Sequence, residues 1–194
     1  MAAVALLRAA SSLGEPVMAT SRTDGAVATD LYKLAMPSPV GQLTLVGSRR
    51  GLRAVLWETE RPGRVALPAA LADHSAGSSA PPVLADTVAQ LSEYFAGERR
   101  QFELPLDLVG TPFQQQAWRA LAAIPYGSTV SYGQQAERLG RPRSARAIGA
   151  ANGRNPLSIV LPCHRVLGAN GSLTGFAGGL AAKRFLLNLE GLAC

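Results

Sequence analysis

The run "IVLPCHRVLG", residues 159–168, sets Cys163 beside His164 and Arg165. Only a thiolate attacks, and a free thiol ionises near about 8.5, so a reactive cysteine needs a basic or cationic neighbour. His164 and Arg165 are neighbours of that type. Adjacent residues of a regular strand point to opposite faces, so a direct Cys–His pair requires a turn at Pro162 or a bridging water. A third group stands in the closing stretch "GLAAKRFLLNLEG" (179–191), where Glu190 lies near the C-terminus of an expected helix. The helix dipole disfavours an acid there, so a cation or a histidine is expected to hold it. Cys163, His164 and Glu190 then form a relay in which the carboxylate orients the imidazole and the imidazole draws the thiol proton. The amide of Asn155, in "GRNPLSIVLPC", could brace the intervening loop. A plainer reading stays open at this point. Cys163 can be a small buried hydrophobe, His164 a hydrogen-bonded core residue, and Asn155 a turn residue before Pro156.

The elements that must position these groups are well punctuated. "GQLTLVGSRRGLRAVLW" (41–57) alternates apolar and polar residues around "SRRG" and reads as a β-hairpin. Residues 58–82, rich in Pro, Gly, Ala and Ser, read as an irregular connection. Leu84, Val88, Leu91 and Phe95 recur at helical spacing up to Gly97. These residues suggest a small α+β domain over 31–107, with nothing catalytic in it. Residues 1–30 are expected to form a flexible extension, since their apolar core is short and Arg8 interrupts it. The second domain, 108–194, is expected to be mostly helical. Thr111, Pro112 and Gln114 supply a capping box, with Phe113, Ala117, Leu121 and Ile124 on the core face. "SYGQ" (131–134) repeats the box, and that helix stops at Gly140. After "RPR", "SARAIGAAN" gives another helix ended by Gly153. Two short helices across a tight turn make a helix-turn-helix.

The second of those helices is slim, with Ala145, Ala147, Gly149, Ala150 and Ala151. Small residues often serve only close helix packing. Here arginines flank them: residues 141–154 hold four arginines, Arg143 and Arg146 among them, and no acid. Arginines for phosphates beside small side chains that permit close approach suit a nucleic-acid surface. The net charge of +6 and an isoelectric point near 10.0 agree with an anionic partner but are weak alone. Two cysteines, one of them the terminal Cys194, make no disulfide framework. With His74 and His164 the only histidines, no Cys/His zinc cluster is available, so metal-free and cofactor-free chemistry in the reducing cytoplasm is expected. No apolar run approaches membrane-spanning length.

Together, "IPYGSTVSYGQQAERLG", "RAIGAANGRNP", "IVLPCHRVLGANGSLTGFAGGL" and "KRFLLNLEG" strongly resemble the O6-alkylguanine-DNA alkyltransferases, the methylated-DNA–protein-cysteine methyltransferases. The likeness runs unbroken from about Gly110 to Gly191. "SPVGQLTL" and "LSEYFAGE" resemble the family's first domain less distinctively. The resemblance implies an α+β fold and a monomer bound to double-stranded DNA, with the alkyl group of a flipped-out guanine passed irreversibly to Cys163. It implies that His164 activates the thiol through water, Glu190 orients His164, and Asn155 secures the loop. It makes Arg146 the finger that fills the gap left by the base, on a helix laid in the minor groove. Tyr132 would crowd the target phosphate, and the carbonyls of Cys163 and Val166 would accept from the guanine amino group. Many members carry a tyrosine and a small or hydroxyl residue where this chain has Phe176 and Ala177. Such a pocket stacks on the base but lacks the phenol's hydrogen bond. Two other functions fit parts of the pattern: a non-catalytic helix-turn-helix protein, which needs no Cys–His–Glu set, and a Cys–His hydrolase, which leaves Arg146 without a role.

Overall fold

The computed structural model describes residues 31–68, 71–73 and 81–193. The expected extension 1–30, His74 and Cys194 lie outside them. The first half is a four-stranded sheet with one helix. Strands β1 (Tyr32–Met36), β2 (Leu43–Ser48), β3 (Gly51–Trp57) and β4 (Ala72–Asp73) lie in the order β3-β2-β1-β4. The hairpin forms at β2–β3, with a register shift at Val46/Gly47. Its strands do not alternate in burial as their sequence suggested, because both faces of the sheet are covered. Leu43, Leu45, Leu52 and Val55 face the main core. Leu31, Val46 and Ala54 form a second layer with Val65 and Leu67. The stretch read as wholly irregular thus contributes that cover, and its β4 adds two residues parallel to β1. Helix α1 (Pro82–Phe95) packs on β2, where a Cβ on Gly47 would stand only 3.0 Å from Leu84.

Strand β3 is where the two halves join. The Leu52 amide donates to Pro105 O at 2.8 Å, and the Val55 amide donates to Pro156 O at 2.8 Å. One sheet edge therefore carries both the chain leaving the first half and the loop that leads to Cys163. Gly51 has φ +144°, and a Cβ there would lie 2.3 Å from Pro105 O, so this crossing requires glycine. Arg53 and Ser48 fix the junction by donating to Asp107 at 2.6 and 2.7 Å.

The second half holds α2 (Pro112–Leu121), β5 (Val130–Ser131), α3 (Tyr132–Arg138), α4 (Ala145–Asn152), β6 (Val166–Leu167) and α5 (Gly179–Leu189). Both capping boxes form, at Thr111/Gln114 and Ser131/Gln134. Ala117, Leu121 and Ile124 are buried and Phe113 is partly so; Trp118, left out of the periodic reading, is also buried. The helix-turn-helix α3–α4 closes on a small core of Ala117, Ala136, Ile148 and Ala151. So little apolar area leaves room for polar pinning. Gln135 donates to Ala117 O at 3.0 Å and accepts from Asn152 at 2.8 Å, and Trp118 donates to Ala151 O at 2.8 Å. The main core runs without interruption from Leu43 and Leu91 of the first half to Leu157 and Leu186 of the second. The fold is α+β. Among the described residues no helix is long and apolar enough to cross a membrane.

Candidate active site

Cys163 sits where the chain cannot continue as a strand. Pro162 has no amide to donate, and Cys163–Arg165 wind into one turn of 3-10 helix before β6. The opposite-faces objection to adjacent residues therefore does not arise. The approach to this turn is strained and braced. Ile159 holds φ +75° while fully buried, a conformation that β-branched residues avoid. Asn155 offsets that strain by donating to Leu161 O at 2.8 Å and accepting from the Leu157 amide at 3.0 Å. Arg64, on the connection after β3, donates to Asn155 O and to Glu60 Oε2 at 2.6 Å.

Behind the cysteine, His164 and Glu190 are both buried and meet at 2.8 Å through Nε2 and Oε1. Arg165 donates to Glu190 Oε2 at 2.9 Å and reaches Oε1 through Nη2 at 3.0 Å. Its Nη1 goes to Ile124 O at 2.6 Å. The Gly127 amide donates to Oε2 at 3.1 Å, and the Tyr94 hydroxyl to Oε1 at 2.7 Å. The acid at the end of α5 is thus held by a cation, a histidine, a backbone amide and a phenol.

Burial pushes the Glu190 carboxyl up, but hydrogen bonds from His164 and Arg165 outweigh it and hold the group at about 2. Glu190 is therefore a carboxylate and can only accept, so Nε2 of His164 carries the proton in that bond. Burial holds His164 below the usual imidazole value, against the pull of Glu190. At neutral pH it is an uncharged ring whose Nδ1 has no protein partner. That lone pair is the basic atom of the site. Burial raises the Cys163 thiol, while a hydrogen bond from Asn155 and the charges of Lys183 and Arg64 pull it back. The resting group is a thiol, and a base is needed to deprotonate it.

The remaining residues singled out in the sequence fall into two groups. Phe176 and Ala177 are half-buried beside the relay, with the Phe176 ring 6.3 Å from His164, edge on. Val166 O accepts from the buried Lys183 ammonium at 2.7 Å, so a guanine amino group would share that carbonyl with Lys183. Tyr132 opens α3, and its hydroxyl accepts from Thr174 at 3.3 Å. In the turn before α4 Arg143 is exposed; on the helix itself Arg146 and Ala147 are exposed, and Ala145 is half-buried. Gly149 is turned inward, where its Cβ position lies 3.7 Å from the Tyr132 ring.

Sequence reasoning missed what the first half brings. Tyr94 touches Glu190, Arg64 touches Asn155, and Trp57 packs edge on against Phe176 at 5.3 Å. A Cβ on Gly178 would run into that indole at 2.5 Å, so glycine lets the loop close on it. The burial of Tyr94 was readable, one residue before Phe95 on an amphipathic helix. Its partner, 96 residues away, was not. Among the described residues no group of three His, Cys, Asp or Glu could hold a metal ion.

Comparison with known proteins gives a consistent result. Residues 31–108 match the ribonuclease-like domain model of 6-O-methylguanine DNA methyltransferase, and residues 112–192 match its DNA-binding domain model. A methylated-DNA–protein-cysteine methyltransferase of Mycobacterium tuberculosis is 47% identical over 162 residues, covering 82% of this chain and 92% of the relative. One from Methanosarcina acetivorans is 42% identical over 161 residues, covering 83% and 99%. The crystal structure of Mycobacterium tuberculosis OGT in complex with DNA superposes with a TM-score of 0.72 at 44% identity, over 82% of this chain and 92% of that one. With both halves matched in order, and with a cysteine, a histidine and a glutamate assembled at the end of α5, this chain belongs to the O6-methylguanine-DNA methyltransferase family.

Proposed function

We propose that this protein repairs duplex DNA directly, moving the alkyl group from O6 of a guanine swung out of the helix onto Cys163, once per molecule. The carrying observation is the state of His164: Nε2 is committed to Glu190, and Nδ1, next to the thiol in sequence, is unpartnered and basic. The proton of Cys163 passes to Nδ1 through a water, and Sγ attacks the alkyl carbon in line with O6. The S–C bond forms as the C–O6 bond breaks, and its electron pair leaves on the guanine. The guanine takes up a proton as His164 gives one back, so the relay ends neutral and the cysteine ends as a thioether. A thioether has no leaving group that water can displace under these conditions, which explains the single turnover. The sequence-predicted roles of Asn155, as brace of the loop, and Glu190, as orienter of the ring, fit this step.

The DNA-binding surface on this reading is the outer face of α4. Ser144 makes no capping hydrogen bond and the first turn of α4 has no acid, so its orphan amides present positive potential to a phosphate. Exposed Arg143 flanks that end. Arg146 is the side chain that enters the stack, and exposed Ala147 keeps the face narrow enough for the minor groove. Extruding a base costs a few kcal/mol, and an inserted side chain offsets part of it. Tyr132, between α4 and the Thr174 loop, presses on the target nucleotide in this reading, and Phe176 and Ala177 line the pocket that receives the base. Residues 108–194 then carry DNA contacts and chemistry, and residues 31–107 the buttress behind them. The protein works as a monomer in the cytoplasm, where its thiol stays reduced.

Intact and peptide mass spectrometry after incubation with duplex DNA containing O6-methylguanine tests the proposal. One methyl group per molecule, on the peptide holding Cys163, is the expected result. Binding without an adduct would leave a DNA-binding protein, and turnover of an ester or amide would leave a hydrolase.

A further inference from the structure

The relay carboxylate takes a hydrogen bond from outside its own half of the chain. Tyr94 is the last buried residue of α1, and none of its surface is exposed. Its ring packs against Phe95, Phe102 and Tyr126, with centroids 5.6, 5.4 and 6.2 Å away. A phenylalanine would fill that space as well. Among the described residues the hydroxyl adds one hydrogen bond, to Glu190 Oε1 at 2.7 Å, and a buried hydroxyl without such a partner is costly. The same oxygen is the one bound to His164 at 2.8 Å.

We propose that Tyr94 is a positioning residue of the transfer reaction: its hydroxyl anchors the Glu190 carboxylate and takes up part of its charge, keeping His164 uncharged and able to accept the thiol proton. The inference rests on the relay reading given above. Its sign follows from what each donor does to the carboxylate. A phenol is a neutral donor, and burial together with Glu190 pushes its own ionisation far up, so it donates at every working pH. Each donor on Oε1 competes with His164 for the same negative charge. Taking one away leaves a more basic carboxylate, which favours the imidazolium. The other groups facing this pair are Arg165 on the same turn, Tyr126 and the Gly127 amide from the loop after α2, and Lys183 on α5. Arg100 stands over the Tyr126 ring, 5.5 Å from its centre. Arg165 and Lys183 are cations that oppose protonation of His164, so Tyr94 works in the same direction as they do, without a charge.

The chain has two histidines, so nitrogen NMR of isotope-labelled histidine resolves His164 from His74 in the full-length protein. With no DNA present, Tyr94→Phe should raise the titration midpoint of His164 by roughly 0.5–1 pH unit, a part of what losing one hydrogen bond does to the carboxylate itself. The acid limb of the methyl-transfer rate should move up by the same amount. Site-specific replacement of Tyr94 by 3-fluorotyrosine, a more acidic phenol and a stronger donor, should move both downward. That variant keeps the core shape and decides the matter if Tyr94→Phe does not fold. Tyr126→Phe is the control, because its hydroxyl donates to Leu189 O at 2.9 Å and not to the carboxylate; it should leave the midpoint in place. An unmoved His164 midpoint in Tyr94→Phe, or in the fluorotyrosine protein where the former is unfolded, would overturn the proposal and make Tyr94 a core residue only. A shifted midpoint with no alkyl transfer in any protein would instead overturn the relay reading while sparing the electrostatic one.

Discussion

The outer face of α4 and the pocket behind Cys163 are built on opposite principles. Arg143, Arg146 and Ala147 stand in solvent, and the described structure pins α4 from beneath through Ile148, Ala151 and Asn152. Cys163, His164, Arg165 and Glu190 are all buried, and the last three share one connected set of hydrogen bonds. Exposed arginines are screened, adjustable and roughly additive in what they contribute to DNA affinity. A dry network is not additive, because each member removed leaves another polar group unsatisfied. The surface can therefore be altered by degrees, whereas the pocket fails as a unit.

The largest expected effect separates the two regions outright. Cys163→Ser should abolish alkyl transfer while duplex binding stays within about two-fold, because a serine hydroxyl is much less acidic and no phosphate contact changes. Labelled-methyl transfer and gel-shift titration on one preparation check it. Residual transfer to that variant would move the nucleophile elsewhere.

Arg165→Met sharpens the contrast on the stability side. Removing the guanidinium leaves the Glu190 carboxylate and the Ile124 carbonyl short of donors in a buried site, a loss of about 3–5 kcal/mol. Arg146→Ala, on the exposed face, should change stability by less than about 0.5 kcal/mol. Denaturant midpoints for the two variants measure the gap, and a similar loss in both would erase the distinction drawn here.

How much of this was legible in the sequence follows the same divide. The helix-turn-helix rests on local rules: Ser131 with Gln134 for a cap, Gly140 and Gly153 for stops, and small residues at helical spacing. All lie within a few residues of what they control. The Cys163–His164–Glu190 set was reachable because Glu190 sat at a helix end where an acid needs a reason. Arg64, Tyr94 and Trp57 were not reachable. Their side chains look like ordinary core or turn residues, and their partners are set by the docking of β3 and α1 onto the second half, which no local pattern encodes. The burial of both faces of β2 and β3 was misread for a related cause: the cover comes from a connection whose composition announced only irregularity.

Acid should weaken the pocket before it affects the surface. His164 has its folded ionisation below the unfolded value of about 6.5, so the unfolded chain binds the extra proton first and stability falls as pH drops below 6.5. Glu190, held at about 2 against an ordinary 4.5, adds a second loss below pH 4.5. Stability contributed by both groups is fully present above about pH 6.5. Melting temperature against pH should therefore decline in two stages, and Glu190→Gln should shrink the lower one to what Asp107, also held below its ordinary value by Ser48 and Arg53, contributes. Duplex binding, which on the proposed reading rests on the arginines at α4, should show no step at these values, and a binding step near pH 6 would tie the two regions together.

Smaller still is the effect expected from Arg146→Ala on function. One exposed cation among several costs little affinity for undamaged duplex, about two- to three-fold at moderate salt. The transfer rate should fall further, by about ten-fold or more, if the side chain fills the gap in the stack, because that interaction exists only once the base has left. Rate and affinity measured side by side decide between a plug and a phosphate contact. Equal losses would make Arg146 one more member of the adjustable surface.

The smallest expected change lies where pocket and surface meet. Phe176 is half-buried, with Trp57 of the first half edge on at 5.3 Å and His164 at 6.3 Å, so its ring is fixed from two sides while one part stays open. Stacking on an extruded base is worth roughly 1–3 kcal/mol and needs only the ring. Phe176→Tyr keeps that stack and adds a hydroxyl at the ring tip. A hydrogen bond from it to the base would add about 0.5–1.5 kcal/mol, or roughly two- to ten-fold in transfer from O6-methylguanine DNA. The gain should be absent for large O6 substituents if the hydroxyl also narrows the pocket, so the ratio of rates for methyl and benzyl adducts is the sensitive readout. A sharp loss with both substrates would mean that the ring tip meets protein, not base. Phe176 would then belong to the buried network that Trp57 completes, and the pocket boundary would lie further out, toward Tyr132.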